Sequence, residues 1–142
     1  MSARQFPLAG LLRLRQIRED EARATLEGAV RRSRETSARR LKVRDGLRES
    51  FVDVTDAAAL SAVAAGRATA GNMLAALDEL QQAESARLAE ASNGYTAARA
   101  RTAALEKLAT RHAEHLRAED ERREQLELDE FALRRPRRED QP

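Results

Sequence analysis

The sequence contains no cysteine and no tryptophan, and aromatic residues make up only 3% of its 142 residues. The lack of cysteine excludes a disulfide framework and cysteine-ligated metal sites, and it favours a reducing compartment. With few aromatic side chains and an apolar fraction dominated by Ala and Leu, the chain is poorly suited to fill a large globular core. Six Gly and three Pro argue against a turn-rich β fold. An ordinary compact enzyme is therefore not expected.

The charge is nearly balanced, and no long apolar run is present. The chain has 26 Lys and Arg against 24 Asp and Glu, a formal net charge of +2, which does not single out nucleic acid as a partner. Arg13 and Arg15 interrupt the short apolar stretch near the start, so no signal peptide is expected. No stretch approaches the roughly 18 apolar residues of a membrane span. We expect a cytoplasmic protein without direct membrane insertion.

The spacing of apolar residues predicts a first helix over about residues 7–51. Proline at position 7 is tolerated in a first helical turn, because its missing N–H would have no partner there. The apolar seam recurs at steps of three and four residues but fails at residues 31–40, where arginines dominate. Its members are Leu8, Leu12, Ala22, Leu26, Ala29 or Val30, Leu41, Leu47 and Phe51. The middle of this helix is therefore weakly specified by apolar residues.

A turn is predicted at residues 52–56, followed by a second helix over 57–134. Valines and short polar side chains disfavour helix at the turn, and Thr55 or Asp56 can cap the next helix. A long heptad pattern then predicts a coiled coil. One row holds Leu60, Leu74, Leu88, Tyr95 and Leu116, and the other holds Val63, Ala70, Leu77, Ala91, Ala98 and Leu105. Flaws in the pattern fall at Arg67, Gln81, Glu84 and Thr102. Glycines make residues 66–72 a candidate for a break in the helix.

The second helix is predicted to be much longer than the first. Proline at position 136 ends it at or before Arg135, and a short disordered C-terminal tail is expected over 136–142. Folding a helix of about 45 residues onto one of nearly 80 leaves roughly 30 residues, from about Leu105 to Leu133, without a partner. The overhang carries large apolar side chains that suit oligomerisation, back-folding or entry into another protein. The predicted fold is all-α, an elongated two-helix antiparallel coiled coil that forms a single domain over 1–142.

No residue pattern predicts catalysis, a cofactor or a metal. His112 and His115 lie three residues apart on the second helix, but the metalloprotease spacing is missing and no cysteine accompanies them. Residues 66–71 have the glycine spacing of a phosphate loop, yet Asn72 and Met73 stand where Lys and Ser or Thr are required. Ordinary helix positions explain both motifs better.

Charged clusters lie on both predicted helices. Acidic residues at 19–21 and 119–121 alternate with arginine, which is typical of solvated helix faces rather than of shielded acid–base pairs. Basic residues are dense at 31–48 and 134–138, where phosphates or an acidic protein surface could bind. Opposite charges on the second helix explain the first basic cluster better, and aromatic residues for base stacking are missing. The residues alone predict neither an enzyme nor a nucleic-acid site.

The two ends of the sequence carry the pattern of a known family. Near the start, FPLAGLLRLR at 6–15 is followed by EDEA at 19–22. Near the end, LEKL at 105–108 and ERREQ at 121–125 precede LDEFALR at 128–134. Over nearly the whole chain, this pattern resembles the FliJ family of flagellar protein-export components.

The resemblance implies an antiparallel two-helix coiled coil similar to the central stalk of rotary ATPases. In the family, the end that bears both termini inserts into the hexameric flagellar export ATPase, and the turn end docks on the cytoplasmic domain of the export gate. Members also escort export chaperones. The resemblance thus implies a non-enzymatic cytoplasmic protein, held at the inner face of the cell membrane through the export apparatus.

Two sets of residues are candidates for the contacts that the resemblance implies, the first chosen from the apolar overhang and the second from the position of the family's gate-docking region. The expected ATPase-ring contacts are Leu126, Phe131 and Leu133. The expected export-gate contacts are Leu47, Phe51, Met73, Leu77, Leu80 and Glu84. Packing inside the hairpin is the alternative for these residues, and the gate set has fewer aromatic residues than the family pattern. Three other interpretations stay open: a stalk protein of a virulence secretion system, a nucleic-acid-binding coiled coil and a generic homodimeric coiled coil.

Overall fold

A computed structural model describes residues 4–50 and 56–134 of the chain. It contains two α-helices, α1 at Ala9–Glu49 and α2 at Ala57–Arg134, and no strand within the described residues. Contacts divide the chain into two units, one formed by Met1–Gln16 with Ala100–Pro142 and the other by Ile17–Arg99. The all-α prediction with a longer second helix is confirmed. Residues 52–55 of the predicted turn at 52–56 and the predicted tail at 136–142 lie outside the described residues.

The first helix is two residues shorter at each end than the predicted range of 7–51. At its start, the backbone N–H of Ala9 donates to the carbonyl of Phe6 (3.1 Å), and that of Leu12 donates to Leu8 (2.9 Å). At its end, Ser50 Oγ donates to the carbonyl of Leu47 (2.9 Å). Such a side-chain bond satisfies a terminal carbonyl that has no helical partner.

The second helix has the predicted bounds and an identifiable N-cap. Asp56 Oδ1 accepts a hydrogen bond from the backbone N–H of Ala59 (2.7 Å), which satisfies one of the free N–H groups of the first turn. The break considered at residues 66–72 is wrong, because α2 continues through this stretch. Threonine supports the backbone there, since Thr69 Oγ1 donates to the carbonyl of Ala65 (3.1 Å).

Within Ile17–Arg99, α1 and α2 pack against each other in antiparallel order. Arg40 of α1 pairs with Asp78 of α2, while Glu19 of α1 pairs with Arg99 of α2. From one pair to the other, the residue number falls on α1 by as much as it rises on α2. The helices therefore keep one register between these two contacts, as a continuous seam requires.

Polar side chains carry the middle of this seam, where the apolar pattern of α1 fails at 31–40. Ser37 Oγ donates to Gln81 Oε1 (2.9 Å), and Gln81 Nε2 donates to Ser33 Oγ (3.3 Å). Thr36 is buried beside them. Gln81 is therefore a bridging residue between the helices rather than a flaw in the heptad.

The unit that contains both termini has its own buried seam. Thr102 is fully buried and donates from Oγ1 to the carbonyl of Arg15 (3.2 Å), and Leu105 is buried three residues further along α2. Thr102 also belongs to the packed interface instead of interrupting it. Ahead of α1, Arg4 forms an ion pair with Asp120, and the ring of Phe6 lies 5.7 Å from that of His112.

Three leucines assigned to the apolar seam from the sequence are exposed instead. These are Leu8, Leu41 and Leu60. On α1 the buried row follows Thr36 by seven residues to Val43, which is half-buried, so Leu41 turns outward. The sequence-based choice favoured the larger side chain, whereas the register is fixed by polar contacts further along the helix.

Candidate docking surfaces

The last turns of α2 expose every described side chain from residue 121 to 134, which we call the terminal segment. Four of these side chains are large and apolar: Leu126 is 65% exposed, Leu128 64%, Phe131 70% and Leu133 85%. Neighbouring charges pair within the helix, as in the ion pair between Arg134 and Glu130 at 3.7 Å. The segment therefore presents unpartnered apolar surface held on a regular helix.

The apolar residues of the terminal segment lie on two opposite faces. Leu126 and Leu133 are seven residues apart, so they share one face. Leu128 and Phe131 are three apart and share a shallow surface depression with Glu124 and Glu127. At 3.6 residues per turn, two residues separate the faces by about 200°. Leu128 was not among the predicted ring contacts, although its spacing from Phe131 indicated a shared face.

The unpartnered stretch is shorter than the predicted overhang. Leu105 is buried, and residues 109, 112, 116 and 120 are half-buried. Residues ahead of α1 account for the difference, since Arg4 and Phe6 contact Asp120 and His112. The overhang begins after Asp120, not near Leu105, because pairing continues beyond the first helical residue.

The expected export-gate residues differ in accessibility. Met73 is 51% exposed and Leu80 is 37% exposed, and their seven-residue spacing gives them one face of α2. Leu47 and Leu77 are half-buried. Phe51 lies outside the described residues. The structure thus leaves Met73 and Leu80 as the accessible pair of this set.

Glu84, the last expected gate residue, is buried between the helices at 4% exposure. Arg87 Nη1 of its own helix donates to Oε1 (3.1 Å), and Arg32 Nε of α1 lies 3.6 Å from Oε2. Oε2 accepts no hydrogen bond within the described part of the chain. Its carboxylate faces α1 in this structure, so a docking role remains a prediction.

Glu19 on α1 has the reciprocal arrangement and is 6% exposed. Arg23 of its own helix donates from Nη2 to Oε1 (3.3 Å), and Arg99 Nη1 of α2 lies 3.6 Å from Oε2. A hydrogen bond and charge interaction with Tyr95 raise the pKa of Arg23 above its usual value. We call each buried carboxylate, with its two arginines, a clamp.

The histidines and the glycine motif lie in ordinary helical surroundings. His112 Nε2 is 3.4 Å from the carbonyl oxygen of Arg4, and His115 Nε2 is 3.2 Å from Glu119. Among the described residues, no group of three His, Cys, Asp or Glu could hold a metal ion. Residues 66–71 lie within α2 and form no loop.

Two arginines of the basic stretch of α1 at 31–48 pair with acidic residues across the seam. Arg32 pairs with Glu84, and Arg40 pairs with Asp78. The opposite charges expected on α2 are thus present for these two arginines. Neither described helix is long and apolar enough to cross a membrane.

Fold and surface together define a protein of two α-helices that exposes large apolar side chains on the last turns of α2. A family model described as Flagellar FliJ protein matches residues 4–141. The chain therefore belongs to the FliJ family, as its terminal motifs indicated, and is a protein of flagellar export. No match was found among curated proteins or solved structures.

Proposed function

We propose that the protein is the central stalk of the flagellar export ATPase, inserted into the ATPase ring through its terminal segment. The observation that carries this proposal is the exposure of large apolar residues on opposite faces of one helix. A helix that is apolar on more than one side is one that becomes surrounded. A ring offers such an environment, whereas a flat docking surface covers one face.

In this proposal Leu126 and Leu133 contact one side of the ring interior, and Leu128 and Phe131 contact the other. The family membership supplies the identity of the ring. A pairwise coiled coil would need only one apolar stripe. The two faces therefore favour the stalk over a generic homodimer.

The test is steady-state ATP hydrolysis by the cognate export ATPase, titrated with wild-type protein and with two double variants. We expect Leu126→Ala/Leu133→Ala and Leu128→Ala/Phe131→Ala each to raise the concentration for half-maximal stimulation about tenfold or more, since truncated anchors dominate interface energies. Unchanged stimulation by both variants would refute the stalk. Loss with only one variant would indicate docking on a single surface.

The matched control is Leu41→Ala/Leu60→Ala, which removes two leucines that are 54% and 58% exposed outside the terminal segment. This variant should stimulate like the wild type. The mass of the isolated protein in solution tests the homodimer. Binding of duplex or single-stranded nucleic acid by the protein at low salt tests the nucleic-acid alternative.

The second part of the proposal is that Met73 and Leu80 contact the cytoplasmic domain of the export gate. Such docking would hold this cytoplasmic protein at the inner face of the membrane. Met73→Ala/Leu80→Ala should weaken binding to that domain without lowering the melting temperature, because both residues are exposed. Leu77→Ala is the comparison, since truncating a half-buried seam residue should lower the melting temperature. Unaltered binding by the first variant would refute the assignment.

Escort of export chaperones is proposed from family membership. The expected result is co-purification of a flagellar export chaperone with the full chain. Failure of purified chaperones to bind at micromolar concentration would contradict it.

A virulence secretion system is the alternative setting for the stalk. Stimulation of the ATPase of such a system, but not of the flagellar ATPase, would favour this alternative.

A further inference from the structure

Residues 4–8 hold α2 beyond the point where α1 begins. Arg4 pairs with Asp120 through its side chain, and its carbonyl oxygen lies 3.4 Å from His112 Nε2. The Phe6 ring meets the His112 ring at 5.7 Å with an interplanar angle of 48°. These contacts cover about two turns of α2, from 112 to 120.

The covered face continues into the terminal segment. Leu105, His112, Leu126 and Leu133 follow one another at multiples of seven residues, so they form a single row along α2. Leu105 is buried, His112 is half-buried under Phe6, and Leu126 and Leu133 are exposed. Residues 4–8 therefore occupy part of the same face that presents Leu126 and Leu133.

The contacts that hold residues 4–8 are of the readily broken kind. The side chains of Arg4 and Asp120 are 58% and 38% exposed, so water competes for their ion pair. Phe6 is half-buried and Arg4 is exposed. The seam beside them is different in kind, because Thr102 and Leu105 are buried.

We infer that residues 4–8 form a releasable clasp, whose opening lengthens the face of α2 available to the ATPase ring. This inference rests on the proposed stalk function. The closed clasp competes with the ring for residues 112–120, and opening it adds His112 to the row of Leu126 and Leu133. If the clasp is open about a tenth of the time, it lowers the apparent affinity for the ring about tenfold.

The test locks the clasp reversibly. Because the chain has no cysteine, Arg4→Cys/Asp120→Cys provides one unique pair that a cleavable bis-maleimide can join. Because the crosslink removes the open state altogether, we expect the crosslinked protein to need more than tenfold as much material for half-maximal ATPase stimulation as the cleaved protein. Crosslinking Ser37→Cys/Gln81→Cys, a pair already in contact across the seam, should change nothing.

A second arm locates the effect on one face. The penalty of the crosslink should disappear in a Leu126→Ala/Leu133→Ala background and persist in a Leu128→Ala/Phe131→Ala background. Nitroxides at positions 4 and 120 should move apart when the ATPase is added at saturation.

Equal stimulation before and after cleavage, or an unchanged distance between the nitroxides, would overturn the clasp while leaving the stalk intact. If wild-type protein fails to stimulate a competent ATPase ring, the proposed function fails instead. The clasp is then tested without the ATPase, by comparing the nitroxide distance between positions 4 and 120 with and without Phe6→Ala. The same distance in both proteins would refute a clasp held by Phe6.

Discussion

The seam of Ile17–Arg99 and the terminal segment distribute polar and apolar groups in opposite ways. In the seam, the carboxylates of Glu19 and Glu84 are buried and clamped by arginines. In the terminal segment, large side chains such as Phe131 and Leu133 are exposed. Polar contacts specify which residues meet, whereas apolar surface supplies non-directional attraction. Register is therefore encoded by the polar residues of the seam, and the large apolar residues of the terminal segment stay exposed.

The largest expected effect on stability comes from the buried leucine next to Thr102. Leu105→Ala should lower the free energy of unfolding by about 2–3 kcal/mol, because it removes buried methyl groups and leaves a cavity. Leu108→Ala is the matched control three residues away and should cost far less, since Leu108 is 43% exposed. Urea unfolding followed by circular dichroism measures both. Equal losses would contradict the assignment of the seam face.

Removing one cation from the Glu84 clamp should have the next largest effect. We expect Arg32→Ala to lower the free energy of unfolding by about 1–2 kcal/mol. Breaking a fully buried ion pair would lower it more, but the Arg32 side chain is half exposed. Arg31→Ala removes an adjacent arginine that has no ion pair within residues 4–50 and 56–134. A comparable loss of urea resistance in both variants would show that general helix charge, rather than the clamp, is responsible.

Glycines in the exposed helix interior offer a stabilising change. Gly66→Ala and Gly71→Ala should each add about 0.5–1 kcal/mol, because a Cβ at either position meets nothing within 4 Å and restricts the unfolded chain. Ala68→Gly, between them, should have the opposite sign. Thermal melting of the three variants checks this. A destabilised Gly66→Ala protein would reveal that this stretch bends in solution.

The smallest effect on stability is expected for the terminal segment, whose substitution is expected to have a large effect on ATPase stimulation. Replacing Leu126, Phe131 and Leu133 together by alanine should change the free energy of unfolding by less than about 0.5 kcal/mol, since exposed side chains lose little on truncation. Urea unfolding beside the Leu105→Ala variant provides the scale. A loss as large as that of Leu105→Ala would mean that the terminal segment packs within the isolated protein.

Hydrophobic periodicity predicted the elements well and the interface between them less well. The bounds of α2 and the cap at Asp56 followed from the sequence, because local backbone chemistry decides them. The roles of Gln81, Glu84 and Thr102 did not, since a pattern search scores polar residues as interruptions unless their partners on α1 are known. Those partners, such as Ser33 and the carbonyl of Arg15, are defined only by the three-dimensional register.

The sites show the same limit. The exposure of Leu126, Phe131 and Leu133 could be predicted, because helix lengths alone require an overhang. The extent of that overhang could not, since contacts from residues 4–8 precede the first helical residue. Burial of Glu84 also escaped prediction, as its family-derived position carried no information about which helix face meets α1.

The two clamps give the hairpin a mechanical character. Each takes one arginine from either helix, so sliding α1 along α2 would strip both carboxylates of a cation at once. A force applied along the helix axes is therefore resisted by directional ion pairs. Apolar contacts are non-directional and would resist sliding less. Under such shear α1 and α2 should therefore keep their register between the two clamps instead of sliding past each other.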